Sequence, residues 1–324
     1  MTDRTIVCWN GSPAAEAALG WALRRARGTG STLEVYDVVD DALFLGDPAA
    51  LDRAKEQEED RLDSRVEELG ESDPGVVSGA RVLVGDPLDL LAAQARPDTL
   101  VVVGTRHRVG PRVRYGWSLG SRLATAAAGP VAVVPVEETE AAAARRGVVV
   151  GVDGSEVGRL ALEFAAGEAE ALREPLTIVH CWVAPLSEQP LVVPDDDFVT
   201  TQETERQALL DDHVRAVRGR HPGVAVRHVL LRQNPISGLR VESEHASMLV
   251  VGSRRLTGWR RTWLGSVSHG LVLDLAAPTV VVGQETEVQG TESLDAEGHD
   301  TEMRDTAVQD TEVPATSPGA TLGA

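Results

Sequence analysis

Apolar residues in this chain come in short runs, separated by longer stretches of mixed polarity. The clearest runs in the second half are GVVVGV (147–152), LTIVHCWV (176–183), VAVRHVLL (224–231), MLVVG (248–252) and TVVV (279–282). They are short and rich in β-branched side chains, as strands buried on both faces require. Between the first two runs, residues 156–172 place Leu160, Phe164, Ala165, Glu168 and Leu172 at helical spacing, behind Ser155 as N-cap. Residues 196–221 read as a polar helix stopped by Pro222-Gly223, 235–245 as a short helix, and Ser266 to Leu275 as a further one. The first half follows the same plan, with strands near 5–9, 32–37, 76–84, 99–104 and 131–135 and a long, acid-rich helix over 51–69. Strands separated by helices imply right-handed crossovers and a parallel sheet covered on both faces.

The two halves are copies. Gly11-Ser12 recurs as Gly154-Ser155, Gly104 as Gly252, and Pro130 as Pro278; the last two pairs share one offset, 148, and the first is slightly shorter. An interval of that length is too long for a solenoid repeat and marks a duplicated domain. The expected fold class is therefore α/β, with two tandem open parallel five-stranded sheets and helices on both faces, a Rossmann-like arrangement. The expected domains are 1–138 and 146–284, joined by a linker at 139–145 and followed by a tail at 285–324. The last strands, VAVVPV and TVVVG, otherwise present edges that need cover. The domains are thus expected to pack through them as an intramolecular pseudo-dimer, and a homodimer of the whole chain stays open.

Composition sharpens this picture at three points. Of 324 residues, 42% are hydrophobic but only 3% aromatic, so the core is built from Val, Leu and Ala. The net charge of −19 argues against a duplex-DNA or anionic-membrane partner, since both need a cationic face. Residues 285–324 carry Glu285, Glu287, Glu292, Asp295, Glu297, Asp300, Glu302, Asp305, Asp310 and Glu312 against Arg304 alone, so −9 of that charge belongs to the tail and −10 to the rest. From Gln284 the tail runs in degenerate pentads (QETEV, QGTES, LDAEG, HDTEM, RDTAV, QDTEV) whose period matches neither helix nor strand. It reads as a disordered solvated segment, with a binding or phosphorylation segment as the alternative. Cys8 and Cys181 lie in strand-like runs without disulfide or metal spacing, the N-terminus lacks a signal peptide's apolar stretch, and no run reaches membrane-spanning length. The expected location is the cytoplasm.

In an open parallel sheet, ligands bind beyond the carboxyl ends of the strands where strand order reverses. The candidate loops are Asn10-Gly11-Ser12, Asp153-Gly154-Ser155 and the segments after Gly104 and Gly252. For an acidic chain those last segments are unusually basic: Arg106, His107, Arg108, Arg112 and Arg114 in one, Arg254, Arg255, Arg260 and Arg261 in the other. Each leads into a helix start, a combination suited to phosphate, though solvated basic loops explain it as well. No G-x-x-x-x-G-K-[ST] or strand-linked G-x-G-x-x-G motif is present. The eight histidines show no paired metal-ligand spacing, and His180, within a strand, reads as a hydrogen-bonded core residue.

The order VGVDGS, VHCW, VVGSR, a basic loop, LGSVS and AAPTVVV resembles the universal stress protein family, and the doubling is similar to its tandem actinobacterial members. The resemblance covers residues 3–136 and 146–283. It implies a five-stranded α/β fold, a role in stress response, no established catalytic reaction, and ATP binding in the subgroup that carries G-x2-G-x9-G-[ST]. The second copy keeps Gly252 and, at the spacing the motif demands, Gly265-Ser266, but has Arg255 at the middle glycine. By the same resemblance Asp153 is the strand-end acid near the nucleotide, Cys181 the residue whose backbone faces the adenine, and Val267 and Ser268 continue the helix start.

The first copy departs further. An ungapped offset of 148 puts Trp117 where the phosphate-site glycine belongs and His107 at the middle glycine, with Asn10 replacing the acid. A gapped alignment would instead equate Gly120-Ser121 with Gly265-Ser266. On the ungapped reading the first domain is a degenerate structural partner. The leading reading is a stress-response protein that binds ATP, with Mg²⁺, mainly in its C-terminal domain, in a regulatory and not catalytic role. The alternative is a stress-associated interaction module that binds no nucleotide. A nucleotide hydrolase is the third reading; it lacks a visible base or nucleophile, although Asp153 beside a triphosphate supplies a Mg²⁺ ligand.

Overall fold

The computed structural model describes residues 4–106, 118–137, 139–183, 196–253 and 265–283. The first half contains β1 (Arg4–Cys8), α1 (Pro13–Thr29), β2 (Leu33–Val39), α2 (Pro48–Ser72), β3 (Val77–Val84), α3 (Pro87–Gln94), β4 (Thr99–Thr105), α4 (Leu119–Ala126) and β5 (Val131–Pro135). The expected linker contains a short helix, α5 (Thr139–Ala144). The second half repeats the series as β6 (Val148–Gly151), α6 (Glu156–Leu172), β7 (Leu176–Cys181), α7 (Asp196–Arg220), β8 (Val226–Leu231), α8 (Pro235–Glu242), β9 (Met248–Ser253), α9 (Ser266–Leu273) and β10 (Thr279–Gly283).

All ten strands form one sheet in the order β3-β2-β1-β4-β5-β10-β9-β6-β7-β8. Every pairing is parallel except the central one, where β5 and β10 run antiparallel. There Ala132 faces Val280, its equivalent in the other repeat, and the flanking pairs are Val133 with Thr279 and Val131 with Val281. The pairing is symmetric about Ala132 and Val280, so a pseudo-two-fold axis passes through this seam. The two edges that needed cover therefore cover each other, and β5 is buried along its whole length.

Alternate strand residues feed two cores. Val7, Val35, Val102, Val148, Val150 and Val280 pack with α1, α2, α6 and α7 on one face. Ile6, Val101, Val133, Val149, Val251 and Val281 pack with α3, α4, α8 and α9 on the other. Burial on both faces explains the unbroken β-branched runs. The long helices are apolar along a narrow stripe: Leu62 and Leu69 on α2, and Leu210, Val214 and Val217 on α7.

Helix α6 differs from the expected face. Its buried positions are Val157, Gly158, Ala161, Leu162, Ala165, Ala166, Glu168 and Ala169, while Leu160, Phe164 and Leu172 are only partly buried. The reason is that α6 packs against both the sheet and α1, so small residues fill its inner side. Glu168 is buried because Arg25 of α1 reaches it across the seam, with Nε–Oε2 at 2.6 Å and Nη2–Oε1 at 2.5 Å. Arg145, just past α5, closes the linker onto the second half: it pairs with Glu137 and donates to the carbonyls of Glu244, Ala246 and Ala276. Among the described residues no helix is long and apolar enough to cross a membrane.

Candidate functional site

Strand order reverses between β1 and β4 in the first half and between β6 and β9 in the second, so each half has one crevice at its carboxyl edge. In the second half the crevice gathers Asp153 after β6, Gly252 on β9, and Gly265 to Ser268 at the start of α9; Cys181 ends the neighbouring β7. Arg255, the other predicted phosphate ligand, lies outside the described residues, as do the rest of both basic segments from His107 and from Arg254, Trp117 and the acidic tail.

Asp153 is exposed at the mouth of the crevice. Its Oδ1 accepts from the Ser155 backbone N–H at 3.0 Å and from the Ser155 hydroxyl. Ser155 Oγ in turn accepts from Gly158 N at 3.2 Å and caps α6. The acid thus orients the capping hydroxyl, and a carboxylate beside a helix N-terminus suits the helix dipole.

The two glycines of the partial motif behave differently. A Cβ on Gly252 would lie 2.5 Å from the carbonyl oxygen of Val157, so glycine is what lets β9 press against the first turn of α6. The equivalent Gly104 is tighter still, 1.8 Å from the carbonyl oxygen of Ala14 on α1. Helix–sheet packing therefore demands this first glycine in both halves, with or without a ligand. Gly265 has no such reason. Its φ of −53° suits any residue, and among the described residues a Cβ there would meet only Ser268 Oγ at 3.4 Å. As N-cap of α9 it makes no side-chain cap bond, so among the described residues no capping side chain covers the first-turn N–H groups. Ser266 is exposed, Val267 packs against the core, and Ser268 is buried with its hydroxyl donating to Gly265 O at 3.0 Å.

Helix α4 provides the contrast. Its N-cap is Ser118, whose Oγ accepts from Ser121 N at 3.2 Å. Gly120 lies inside the first turn, where a Cβ would come within 2.9 Å of a Val133 methyl. Leu123, Ala124 and Ala127 are buried as Leu271, Val272 and Leu275 are, which keeps the offset of 148 through both helices. Gly120-Ser121 therefore does not occupy the place of Gly265-Ser266.

The crevice of the first half also holds a cluster that sequence reasoning missed. Arg61 of α2 donates to Asn10 O at 3.1 Å and to Asp37 Oδ2 at 3.3 Å, pairs with Glu58, and lies 5.5 Å from the ring centre of Trp9. Burial raises the Asp37 carboxyl to about 6; Glu58 adds to the rise, while the Val38 N–H and Arg61 oppose it. At the offset that relates Ser12 to Ser155, Asp37 becomes His180, whose Nδ1 lies 2.8 Å from Val152 O. Burial lowers the His180 pKa, so the neutral ring donates to that carbonyl, as expected of a hydrogen-bonded core histidine. On the same side of the second crevice, Arg206 and Arg232 lie 4.7 and 5.5 Å from the ring centre of Trp182. That indole is 5% exposed, and its N–H has no hydrogen-bond partner among the described residues. Cys181 turns its thiol toward α8, since a Cβ on Gly238 would lie 2.7 Å from Sγ, and burial pushes the thiol up to about 11. A thiol held protonated in this way is a poor nucleophile at neutral pH.

A profile of the Universal stress protein family matches residues 1–135 and again 144–283. The chain is 29% identical over 299 residues to the universal stress protein Rv1996 of Mycobacterium tuberculosis, covering 85% of this chain and 93% of that protein. Its counterpart Mb2019 of Mycobacterium bovis matches equally. Among solved structures, a universal stress protein from Archaeoglobus fulgidus superposes with a TM-score of 0.63 at 15% identity, over 87% of this chain and 99% of that one. At that identity the likeness is one of fold.

Proposed function

The chain belongs to the universal stress protein family, and on that premise we propose that its second half binds an adenine nucleotide, ATP with Mg²⁺, in a regulatory and not catalytic role. The observation that carries the proposal is Gly265. A glycine that neither its backbone conformation nor packing among the described residues requires, at a helix N-terminus facing the switch-point crevice, fits the close approach of a phosphate to backbone N–H groups. Gly265 and Ser266 would hold phosphate oxygens, Asp153 a Mg²⁺ ion, and the Cys181 backbone the base. Mg²⁺ would neutralise phosphate charge. The first half, where Arg61 bonds to Asn10 and Asp37 and Ser118 caps α4, would serve as structural partner.

Calorimetric titration of ATP–Mg²⁺ into the full chain tests this reading. Binding is expected for the parent protein, with at least a tenfold loss for Gly265→Ser and no binding for Gly265→Trp. Serine caps helices well, so the Gly265→Ser variant should keep its melting temperature while losing affinity. No heat of binding at millimolar ATP would refute the nucleotide reading and leave an interaction module. Release of ADP with turnover, followed by chromatography, would refute the non-catalytic role.

A further inference from the structure

On the face of the sheet that carries α1 and α6, a cavity of about 270 Å³ lies where the first half, the linker and the second half meet. Arg24, Arg25 and Arg27 of α1 line it from one side and Arg145, the last residue of the linker, and Arg146, which follows it, from another, with Glu174 as the single acid among the described lining residues. Three of these guanidiniums are neutralised: Arg25 by Glu168, Arg27 by Asp73 and Arg145 by Glu137. The Glu174 carboxylate is engaged through Oε2, which accepts from Gly147 N at 2.7 Å and from Ser247 Oγ at 2.5 Å.

Arg24 and Arg146 are left over. Arg146 Nη1 donates to the carbonyls of Ala143 and Arg145, and no carboxylate pairs with it among the described residues. Arg24 is half-buried and has neither an ion pair nor a hydrogen bond there. Burial holds its pKa below the ordinary value; Glu137 opposes the shift, and the neighbouring Arg27 and Arg146 add to it. An acidic chain that crowds unneutralised arginines around a concave site has left room for an anion. Guanidinium forks match phosphate oxygens in pairs, and the volume sits just below the roughly 300–1,000 Å³ usual for small-molecule sites.

We propose that this cavity is a second anion site, apart from the α9 crevice, where Arg24 and Arg146 take a small phosphate-bearing anion. Its walls come from both repeats and the linker, so the site exists only in the tandem chain. Occupancy would tie α1 to the linker and stiffen the junction between the repeats.

The probe is inorganic pyrophosphate, titrated calorimetrically into the full chain, with thermal melting read alongside. The parent protein should bind it and gain melting temperature. The double variant Arg24→Gln/Arg146→Gln should bind at least tenfold more weakly and lose that gain, and Gly265→Trp should bind as the parent does. Neither arginine holds a carboxylate among the described residues, so the double variant should melt as the parent does without ligand. Arg24→Lys, which keeps the charge and loses the fork, should weaken binding severalfold and serves as the independent check should the double variant not fold. Parent-like affinity in Arg24→Lys and in any folded double variant, no binding at millimolar pyrophosphate, or loss of binding in Gly265→Trp would each overturn the proposal.

Discussion

Replacing Glu168 by leucine should leave the Arg25 guanidinium in the core without its carboxylate. The two side chains are 4% and 1% exposed, and two of the Arg25 nitrogens donate to Glu168 while Nη1 donates to Thr5 Oγ1 at 2.9 Å. Removing one partner of a buried, hydrogen-bonded pair costs about 3–5 kcal/mol, because the other charge stays desolvated. Replacing both by apolar residues of similar volume is often neutral or stabilising by about 1–4 kcal/mol. Urea unfolding followed by far-ultraviolet circular dichroism should therefore place Glu168→Leu about 3–5 kcal/mol below the parent. Arg25→Met/Glu168→Leu should return to within about 1 kcal/mol of it or exceed it. A loss of under about 1 kcal/mol in Glu168→Leu, or a double variant as unstable as the sum of the singles, would refute the reasoning. The pair also joins unlike repeats. Arg25 and Glu168 are separated by the same offset that relates Ser12 to Ser155, so they hold equivalent positions on α1 and α6. A seam between two first repeats would set Arg25 against Arg25, and one between two second repeats Glu168 against Glu168. Only unlike repeats neutralise each other.

Packing and the ion clusters carry two further predictions. Gly252→Ala should destabilise by about 1–3 kcal/mol, because the added Cβ meets the backbone oxygen of Val157 and no rotamer relieves it; a fall in Tm of several degrees, absent in Gly265→Ser, checks this. The Asp37 carboxyl, raised to about 6 in the folded state, makes the native protein hold more protons than the unfolded chain between pH 4 and 6. Its contribution to stability is thus present at low pH and declines as pH rises through that window. Asp37→Asn should remove this component, seen as a flatter difference in Tm between pH 4 and 7; an unchanged pH profile would contradict the assignment.

The course of the strands was legible because burial on both faces demands unbroken apolar runs, and MLVVG and TVVV have no other local use. The near-constant offset between matching motifs then exposed the duplication, and the bare edges of VAVVPV and TVVVG pointed to the seam that β5 and β10 form. Local pattern was a poorer guide to the site. Gly252 and Gly265 look alike in a motif, yet only tertiary contacts separate a glycine needed for packing from one that packing among the described residues leaves unexplained.

Element order, copy number and the strands' apolar faces were written in the chain alone, since hydrophobic periodicity is a property of near neighbours. The matching of charges was not. Arg25 with Glu168, Arg61 with Asp37, and the unmatched Arg24 beside Arg146 depend on which helix docks beside which, and that is settled only in three dimensions. An ion pair that joins α1 to α6 across the two repeats leaves no periodic trace, and its worth arises only when burial removes the water that would otherwise screen it.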